Sequence, residues 1–226
     1  MQNIHVINAE PTFLPHLRKL HAHFPRLRIV LEHATTRAAV ETVKSLGATV
    51  ACTITAHHLA LTVDDWAGQS WNYCKPVAKF PDDREALHQV IREGEVELFC
   101  ESTEALAGLG HPRFFLGSDS APHPSMKKST SSPDHGCAAG IYTSPILLAL
   151  TAHLLESFGA LDKLEGFVSK NGRTFYKRDI ASTDGNSIVR LRRHKACVRG
   201  TYTLKDVEVV TFWSGKDLEW EIDYQG

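Results

Sequence analysis

A carboxylate and an imidazole lie four residues apart in Phe114–His123, which reads FFLGSDSAPH. Phe114–Leu116 is a short apolar run, which predicts a strand buried on both faces, and Gly117 lets the backbone turn after it. Asp119 and His123 follow the carboxyl end of this strand, where parallel α/β barrels carry out their chemistry. Together they could hold a metal, move a proton and bind an anion. For Asp119 alone, a turn-capping role is the alternative.

Histidines follow two further predicted strands. Leu27–Leu31 is followed by His33, and Val50–Ile54 is followed by His58. Because parallel strands of one sheet end at the same edge, these imidazoles are expected to converge with Asp119. Neutral imidazole and carboxylate bind Zn²⁺ at about 2.0–2.2 Å, and the bound ion polarises carbonyl groups. Histidines scattered through ordinary βα loops are the alternative.

Strands alternate with helices in the first half of the chain, which predicts a parallel sheet with helical crossovers. Two more strands are predicted at Trp71–Cys74 and Arg113–Leu116. About four strands make half of a TIM barrel. We therefore predict an α/β fold, a partial (β/α) barrel of about four strands, with C-terminal helices and a small strand-containing tail. The helices expected are Pro11–Phe24, Arg37–Leu46, Asp82–Arg92, Pro145–Phe158 and Leu161–Ser169.

The domain prediction is one incomplete barrel domain over residues 1–226. It consists of a half-barrel in 1–180 and a tail in 181–226 that packs on the barrel edge, with strand-like pieces at Ser187–Leu191, Val207–Thr211 and Leu218–Tyr224. Residues 93–110 are long for a helix-to-strand connection and are predicted to be an insertion. Lys127 and Lys128 lie in a polar, Ser-rich stretch and are predicted to be solvated.

Composition excludes several classes of function. The net charge is −1 over 226 residues, which argues against a nucleic-acid partner or a basic membrane surface. No apolar run approaches the roughly 20 residues of a membrane helix, and Met1–Glu10 does not resemble a secretory signal. Five cysteines, an odd number without a CxxC pair, predict reduced thiols in a cytoplasmic protein.

Four segments resemble successive motifs of dihydroorotase, in its homodimeric form within the amidohydrolase superfamily. They are LEHATT (Leu31–Thr36), TAHHL (Thr55–Leu59), NYCKPVAK (Asn72–Lys79) and GSDSAPH (Gly117–His123). The resemblance covers nearly all of Asn8–Tyr176, in the order of the family, and GSDSAPH is its most specific motif. It corresponds to the C-terminal part of the enzyme only.

The resemblance implies a role for each matching residue. His33, His58 and Asp119 would bind metal, and Asp119 would also act as general acid and base; His57 would not be a ligand. The α-carboxylate of the substrate would contact His123, with backbone help from Ala121 and Ala139, and the backbone of Lys75 would line the pocket. The implied reaction interconverts N-carbamoyl-L-aspartate and L-dihydroorotate in pyrimidine biosynthesis. The substrate is a small molecule.

Several family features have no counterpart in this sequence: a His-x-His pair on the first barrel strand, a carboxylated lysine and a mobile Thr-bearing loop. His21 and His23 have the right spacing, but they lie in a predicted helix. We therefore expect an N-terminally truncated chain that is inactive alone and holds, weakly, at most one of the family's two zinc ions.

Two other functions are considered beside that of a dihydroorotase: a scaffold and a different amidohydrolase. The chain could be a non-catalytic half-barrel scaffold that pairs with a full-length paralogue or with a complementary chain, and a homodimer is also possible. A third interpretation, a hydantoinase-like amidohydrolase, is disfavoured by the GSDSAPH and NYCKP segments.

Overall fold

The computed structural model describes residues 3–93, 110–129, 136–178 and 188–223. Its centre is a parallel sheet of three strands, β1 (Ile29–Leu31), β2 (Val50–Ile54) and β3 (Phe114–Leu116), in the order β1-β2-β3. Every residue of β2 is buried, because the strand has a neighbour on each side and helices cover the sheet. Short apolar runs rich in Val, Ile and Phe suit such fully buried parallel strands.

Helices connect and cover these strands, as the alternating pattern predicted. They are α1 (Ala9–His23), α2 (Arg37–Ser45), α3 (Ala56–Ala60), α4 (Val63–Trp66), α5 (Pro81–Arg92), α6 (Ser125–Lys128), α7 (Leu147–Ser157) and α8 (Asn171–Phe175). Thr36 caps α2, accepting a hydrogen bond from the backbone N–H of Ala39, as expected for a threonine at this position. The architecture is α/β with a partial, unclosed barrel, which confirms the predicted fold class.

The predicted strand Trp71–Cys74 is wrong. Ser70–Asn72 forms a single 3₁₀ turn, and the chain then runs irregularly to a cis peptide between Lys75 and Pro76. The carbonyl group of Tyr73 is not available to a sheet, because it accepts hydrogen bonds from the N–H of Gly140 and from Lys128 Nζ. The parallel sheet of the described residues therefore has three strands and not four.

The tail forms two antiparallel pairs. Strand β4 (Arg190–Cys197) pairs with β7 (Asp217–Asp223), and β5 (Thr201–Leu204) pairs with β6 (Val207–Val210). Strand β7 packs on α7, and the indole Nε1 of Trp220 donates to Glu156 at 2.9 Å.

Parts of three sequence predictions lie outside the described residues. They are most of the insertion at 93–110, the start of Ser187–Leu191 and the last residue of Leu218–Tyr224. Within the described part, no helix is long and apolar enough to cross a membrane.

Arg113, directly before β3, ties this strand to the end of α2. Its Nη1 donates to the carbonyl groups of Val43 at 2.6 Å and Leu46 at 2.7 Å, and its Nη2 donates to that of Lys44 at 3.1 Å. The last carbonyl groups of a helix have no partner within the helix and carry partial negative charge. The guanidinium therefore satisfies the C-terminus of α2 and fixes the position of β3.

We predict that Arg113→Lys lowers the free energy of unfolding by about 1–3 kcal/mol, because one ammonium group cannot replace the forked contacts of a guanidinium. Urea denaturation measures the change. Arg192→Lys is the matched control, since Arg192 forms an exposed ion pair with Glu221 and its change should stay within about 0.5 kcal/mol. Equal losses in the two variants would contradict the role given to Arg113.

Candidate functional site

Polar residues follow all three parallel strands at the same edge of the sheet. His33 lies just after β1, His58 lies within α3 after β2, and Asp119 lies just after β3. His33 and Asp119 both adopt left-handed backbone conformations, with φ of 45° and 37°. This conformation costs roughly 1–2 kcal/mol for a residue with a side chain, and such residues cluster at functional sites. The structure therefore brings the three predicted metal ligands to one rim.

Thr53, on β2, holds the turn after β1. Its Oγ1 donates to the Glu32 carboxylate at 2.5 Å and accepts from the backbone N–H of His33 at 2.7 Å. The turn after β3 depends on the same side chain, because a Cβ added to Gly117 would lie 2.7 Å from Thr53 Cβ. Thr53 is thus a positioning residue for both neighbouring turns. This role could not be predicted, since a threonine inside a buried strand carries no sequence signal beyond strand propensity.

Glu10, on α1, holds the segment that follows His33. Its carboxylate accepts hydrogen bonds from the backbone N–H and the hydroxyl of Thr35, each at 2.9 Å, and from the hydroxyl of Thr36. Both threonines are buried. Nothing in the sequence indicates that a carboxylate 25 residues away orients these threonines.

Burial sets the charge of the rim. Burial, with a smaller contribution from the nearby His33, lowers the pKa of His58 to about 3, although the hydrogen bond to the carbonyl group of Pro76 acts to raise it. Partial desolvation raises the pKa of Asp119, while His33 acts to lower it. The Nδ1 atom of His33 is buried and has no hydrogen-bond partner among the described residues. His58 is therefore neutral at pH 7, the form of imidazole that binds metal, and His33 has a nitrogen without a protein partner in that part of the chain.

The side chain of His58 makes contacts through both ring nitrogens. Nε2 donates to the carbonyl group of Pro76 at 2.9 Å, so Nδ1 accepts from the hydroxyl of Thr55 at 2.8 Å. The sulfur of Cys74 lies 3.6 Å from Nε2. Among the described residues, one donor atom each from His57, His58 and Cys74 lie within 4.8 Å of one another. The predicted set of His33, His58 and Asp119 does not approach that closely here, so its role as a ligand set stays a prediction.

The predicted substrate contacts lie on two adjoining segments. His123 Nε2 donates to the carbonyl group of Ala139 at 3.0 Å, and the N–H of Ala121 donates to that of Ile141 at 2.9 Å. A cavity of about 600 Å³ is lined by Ala121 and His123 and, from the tail, by Trp213. Ala121 and His123 therefore share one cavity, whereas Ala139 and Lys75 are not among the residues that line it.

Lys75 and Lys128 differ in their exposure to solvent. Lys75 is exposed, as a residue that contributes only its backbone can be. The prediction that Lys128 is solvated is wrong: its side chain is buried, and Nζ donates to the carbonyl groups of Tyr73 at 2.8 Å and Gly140 at 2.7 Å. Irregular backbone carbonyls on two segments need donors, and one ammonium group supplies them to both.

Known proteins similar to the chain are dihydroorotases, although no protein-family model matches it. The dihydroorotase of Mycosarcoma maydis is 48% identical over 96% of the chain and 62% of its own length. A crystal structure of Saccharomyces cerevisiae dihydroorotase with 5-fluoroorotic acid has a TM-score of 0.84 at 38% identity, over 97% of the chain and 58% of that protein. A Campylobacter jejuni dihydroorotase structure has a TM-score of 0.78 at 31% identity, over 98% of the chain and 59% of that protein.

These matches confirm the resemblance seen in the sequence. The chain is homologous to dihydroorotases over nearly its whole length and spans about 60% of the length of the relatives it matches. This is consistent with the C-terminal part of such an enzyme.

We predict that Gly117→Ala lowers the free energy of unfolding by about 1–3 kcal/mol, because the new methyl group would overlap Thr53 and overpack a buried turn. The Cβ would lie 2.7 Å from Thr53 Cβ and 2.9 Å from its Oγ1. Gly136→Ala is the matched control, since a methyl group there would have no neighbour within 4 Å among the described residues. Thermal denaturation compares the two variants. A stable Gly117→Ala protein would show that Thr53 does not constrain the turn.

Proposed function

We propose that this chain carries the C-terminal part of a dihydroorotase centre, which interconverts N-carbamoyl-L-aspartate and L-dihydroorotate in pyrimidine biosynthesis. One observation supports the proposal above all: in a chain homologous to dihydroorotases, the three parallel strands end in polar turns at one edge of the sheet. That edge is where parallel barrels carry their catalytic residues. The whole of 1–226 would be a single incomplete barrel domain.

Zinc would be held by His33, His58 and Asp119. The donor types fit, because His58 is a neutral imidazole and the Nδ1 atom of His33 has no partner among the described residues. To bind the ion, His58 would give up its contact with Thr55 or with Pro76. When bound, the metal supplies polarisation of the scissile amide carbonyl. We expect at most one ion, weakly held, because the sequence offers no further strand-end ligands of the family type.

Asp119 would move the proton. In hydrolysis its carboxylate accepts a proton from the attacking water and passes it to the ring nitrogen as the C–N bond breaks; in cyclisation the same proton returns. The exposed position of Asp119 at the rim suits this task, since the group must reach both water and substrate.

The carboxylate of the substrate would be bound by His123 together with the backbone of Ala121, Ala139 and Lys75. In the structure, the His123 imidazole donates to Ala139 and the Ala121 N–H donates to Ile141, so an incoming anion would take over these donors. Donors that are already aligned on one cavity favour the binding of an anion. We propose a cytoplasmic location, with which the four unpaired cysteines of the described residues agree.

A second candidate function is a scaffold that completes its barrel with another chain. Strands β1 and β3 are the outer strands of the described sheet, so each has one edge to which a further strand could be added. A complementary chain or a full-length paralogue would supply those strands, and a homodimer is a further possibility. Co-purification with such a chain would favour this function over that of an independent enzyme.

We predict little or no turnover by the isolated chain. A colorimetric assay for carbamoyl-aspartate, with added Zn²⁺ and L-dihydroorotate, measures it. The physical reason is that three ligands on one rim hold a metal weakly and leave much of a binuclear centre absent. Robust turnover that disappears in Asp119→Asn would show that the ligands present suffice, and it would contradict the prediction of an inactive chain.

The substrate-binding residues can be tested without turnover. We predict that the chain binds 5-fluoroorotate and that His123→Gln weakens binding about 10-fold or more, because a hydrogen bond to a charged group contributes roughly 1.5–3 kcal/mol. Isothermal titration calorimetry measures both affinities. His16→Gln, on the exposed side of α1, is the control and should bind as the unchanged chain does. Equal affinities in all three proteins would remove His123 from the binding site.

A further inference from the structure

We propose that His57, His58 and Cys74 form a zinc site of their own, with two imidazoles and one thiolate, separate from the set of His33, His58 and Asp119 on the rim. The inference is independent of the proposed reaction, because it rests on the geometry of these three buried side chains. Only His58 is shared between the two sets.

The distances suit a soft, tetrahedral site. One donor atom from each of the three residues lies within 4.8 Å of the other two, and His58 Nε2 lies 3.6 Å from Cys74 Sγ. With Zn–N near 2.0 Å and Zn–S near 2.3 Å, a tetrahedral ion separates its nitrogen and sulfur ligands by about 3.5 Å. The His58–Cys74 pair therefore already has the required span, and His57, which has a nitrogen within 4.8 Å of both partners, needs at most a small movement to join them.

His57 is the observation that points to a ligand. Its side chain is fully buried, and neither Nδ1 nor Nε2 has a hydrogen-bond partner among the described residues. Its ring lies against that of His58, with 4.5 Å between the ring centres. Buried polar atoms normally have a partner, and an imidazole without one beside two further donors is what an empty metal site presents. An ion would supply the missing partner.

The ion would be bound by two neutral imidazoles and one thiolate. Burial, with His58, His33 and Lys128 nearby, lowers the pKa of His57 and keeps it uncharged. Burial raises the pKa of the Cys74 thiol to about 12, so the ion has to displace this proton to solvent as the sulfur coordinates it; the nearby Lys128 and Lys79 favour the resulting thiolate. Asp119 opposes it. A nitrogen- and sulfur-rich set of this kind selects Zn²⁺ or Co²⁺ over Mg²⁺ and Ca²⁺.

A fourth donor lies beside the site. The carbonyl oxygen of Pro76 is 2.9 Å from His58 Nε2 and 3.3 Å from Cys74 Sγ. In both contacts the Pro76 oxygen accepts a proton that the ligand atom, His58 Nε2 or Cys74 Sγ, gives up when it binds the metal. The oxygen would then be free to contact the ion. For His58 this requires the proton to move to Nδ1, from which it can be donated to the hydroxyl of Thr55 at 2.8 Å.

The shared histidine makes the two metal sets exclusive. A neutral imidazole offers one lone pair to a metal, so His58 serves either the buried set or the rim set at a given time. An ion held by His57, His58 and Cys74 would therefore withhold a ligand from the rim.

Titration of the full chain with Co²⁺ tests the proposal, because a thiolate ligand gives a charge-transfer absorption that nitrogen and oxygen ligands do not. We expect this band in the unchanged chain and in Cys52→Ser, which removes a different buried thiol. The band should be lost in Cys74→Ser, and His57→Gln should weaken Co²⁺ binding at least 10-fold. Circular dichroism verifies that each variant is folded.

Asp119→Asn separates this proposal from the proposed function. It removes a rim ligand and the proton-transfer group, yet it should leave the thiolate band intact. If the band is absent from the unchanged chain, or persists in Cys74→Ser, the buried site is wrong whatever the result of the turnover assay.

X-ray absorption at the zinc edge gives a measurement that needs no variant. The zinc-loaded chain should show one sulfur at about 2.3 Å and nitrogen ligands at about 2.0 Å. A first shell of nitrogen and oxygen alone would overturn the proposal.

Discussion

One hydroxyl, that of Thr53, sits between the two turns on which the candidate site depends. It binds the turn after β1 through Glu32 and the N–H of His33, and it packs against Gly117 in the turn after β3. Because β2 is buried on every side, this hydroxyl has little freedom to move. His33 and Asp119 can therefore hold their left-handed backbone conformations, whose cost the surrounding contacts offset.

Two helices outside the sheet also hold the turns near this rim, through charged side chains. Glu10 reaches from α1 to the threonines after His33, and Lys128 reaches from α6 to carbonyl groups on the Tyr73 and Gly140 segments. Each is a charged group whose hydrogen bonds are made to parts of the chain far away in sequence. Their common effect is to hold irregular turns in place, which short loops between strands and helices could not achieve by local propensity alone.

The sequence predicted what local pattern determines. Strands β2 and β3, helix α5 between them and the polar residues after each strand follow from short apolar runs and spacing, whereas the short helices α3 and α4 were not predicted. The strand predicted at Trp71–Cys74 was wrong. Its apolar and aromatic residues suit a strand, but the carbonyl group of Tyr73 accepts hydrogen bonds from Gly140 and Lys128 instead. The resemblance to dihydroorotases was confirmed by similarity over nearly the whole chain.

Contacts between segments that are distant in the chain could not be predicted from the sequence. A pair of lysines in a polar stretch looks the same whether solvated or, as for Lys128, buried. His57 was expected to have no metal role, since only His58 matches the family motif. Its burial without a partner among the described residues depends on how α3 packs against the Cys74 segment, which spacing alone does not report.

Both proposed metal sites require that buried, neutral imidazoles next to the ends of parallel strands can bind a metal. A crystal of the full chain soaked in Zn²⁺, with diffraction recorded on both sides of the zinc absorption edge, tests this most directly. We expect an anomalous peak in contact with His58, whether the ion is held with His57 and Cys74 or with His33 and Asp119. A peak confined to exposed histidines such as His16 or His23, with none at His58, would contradict it.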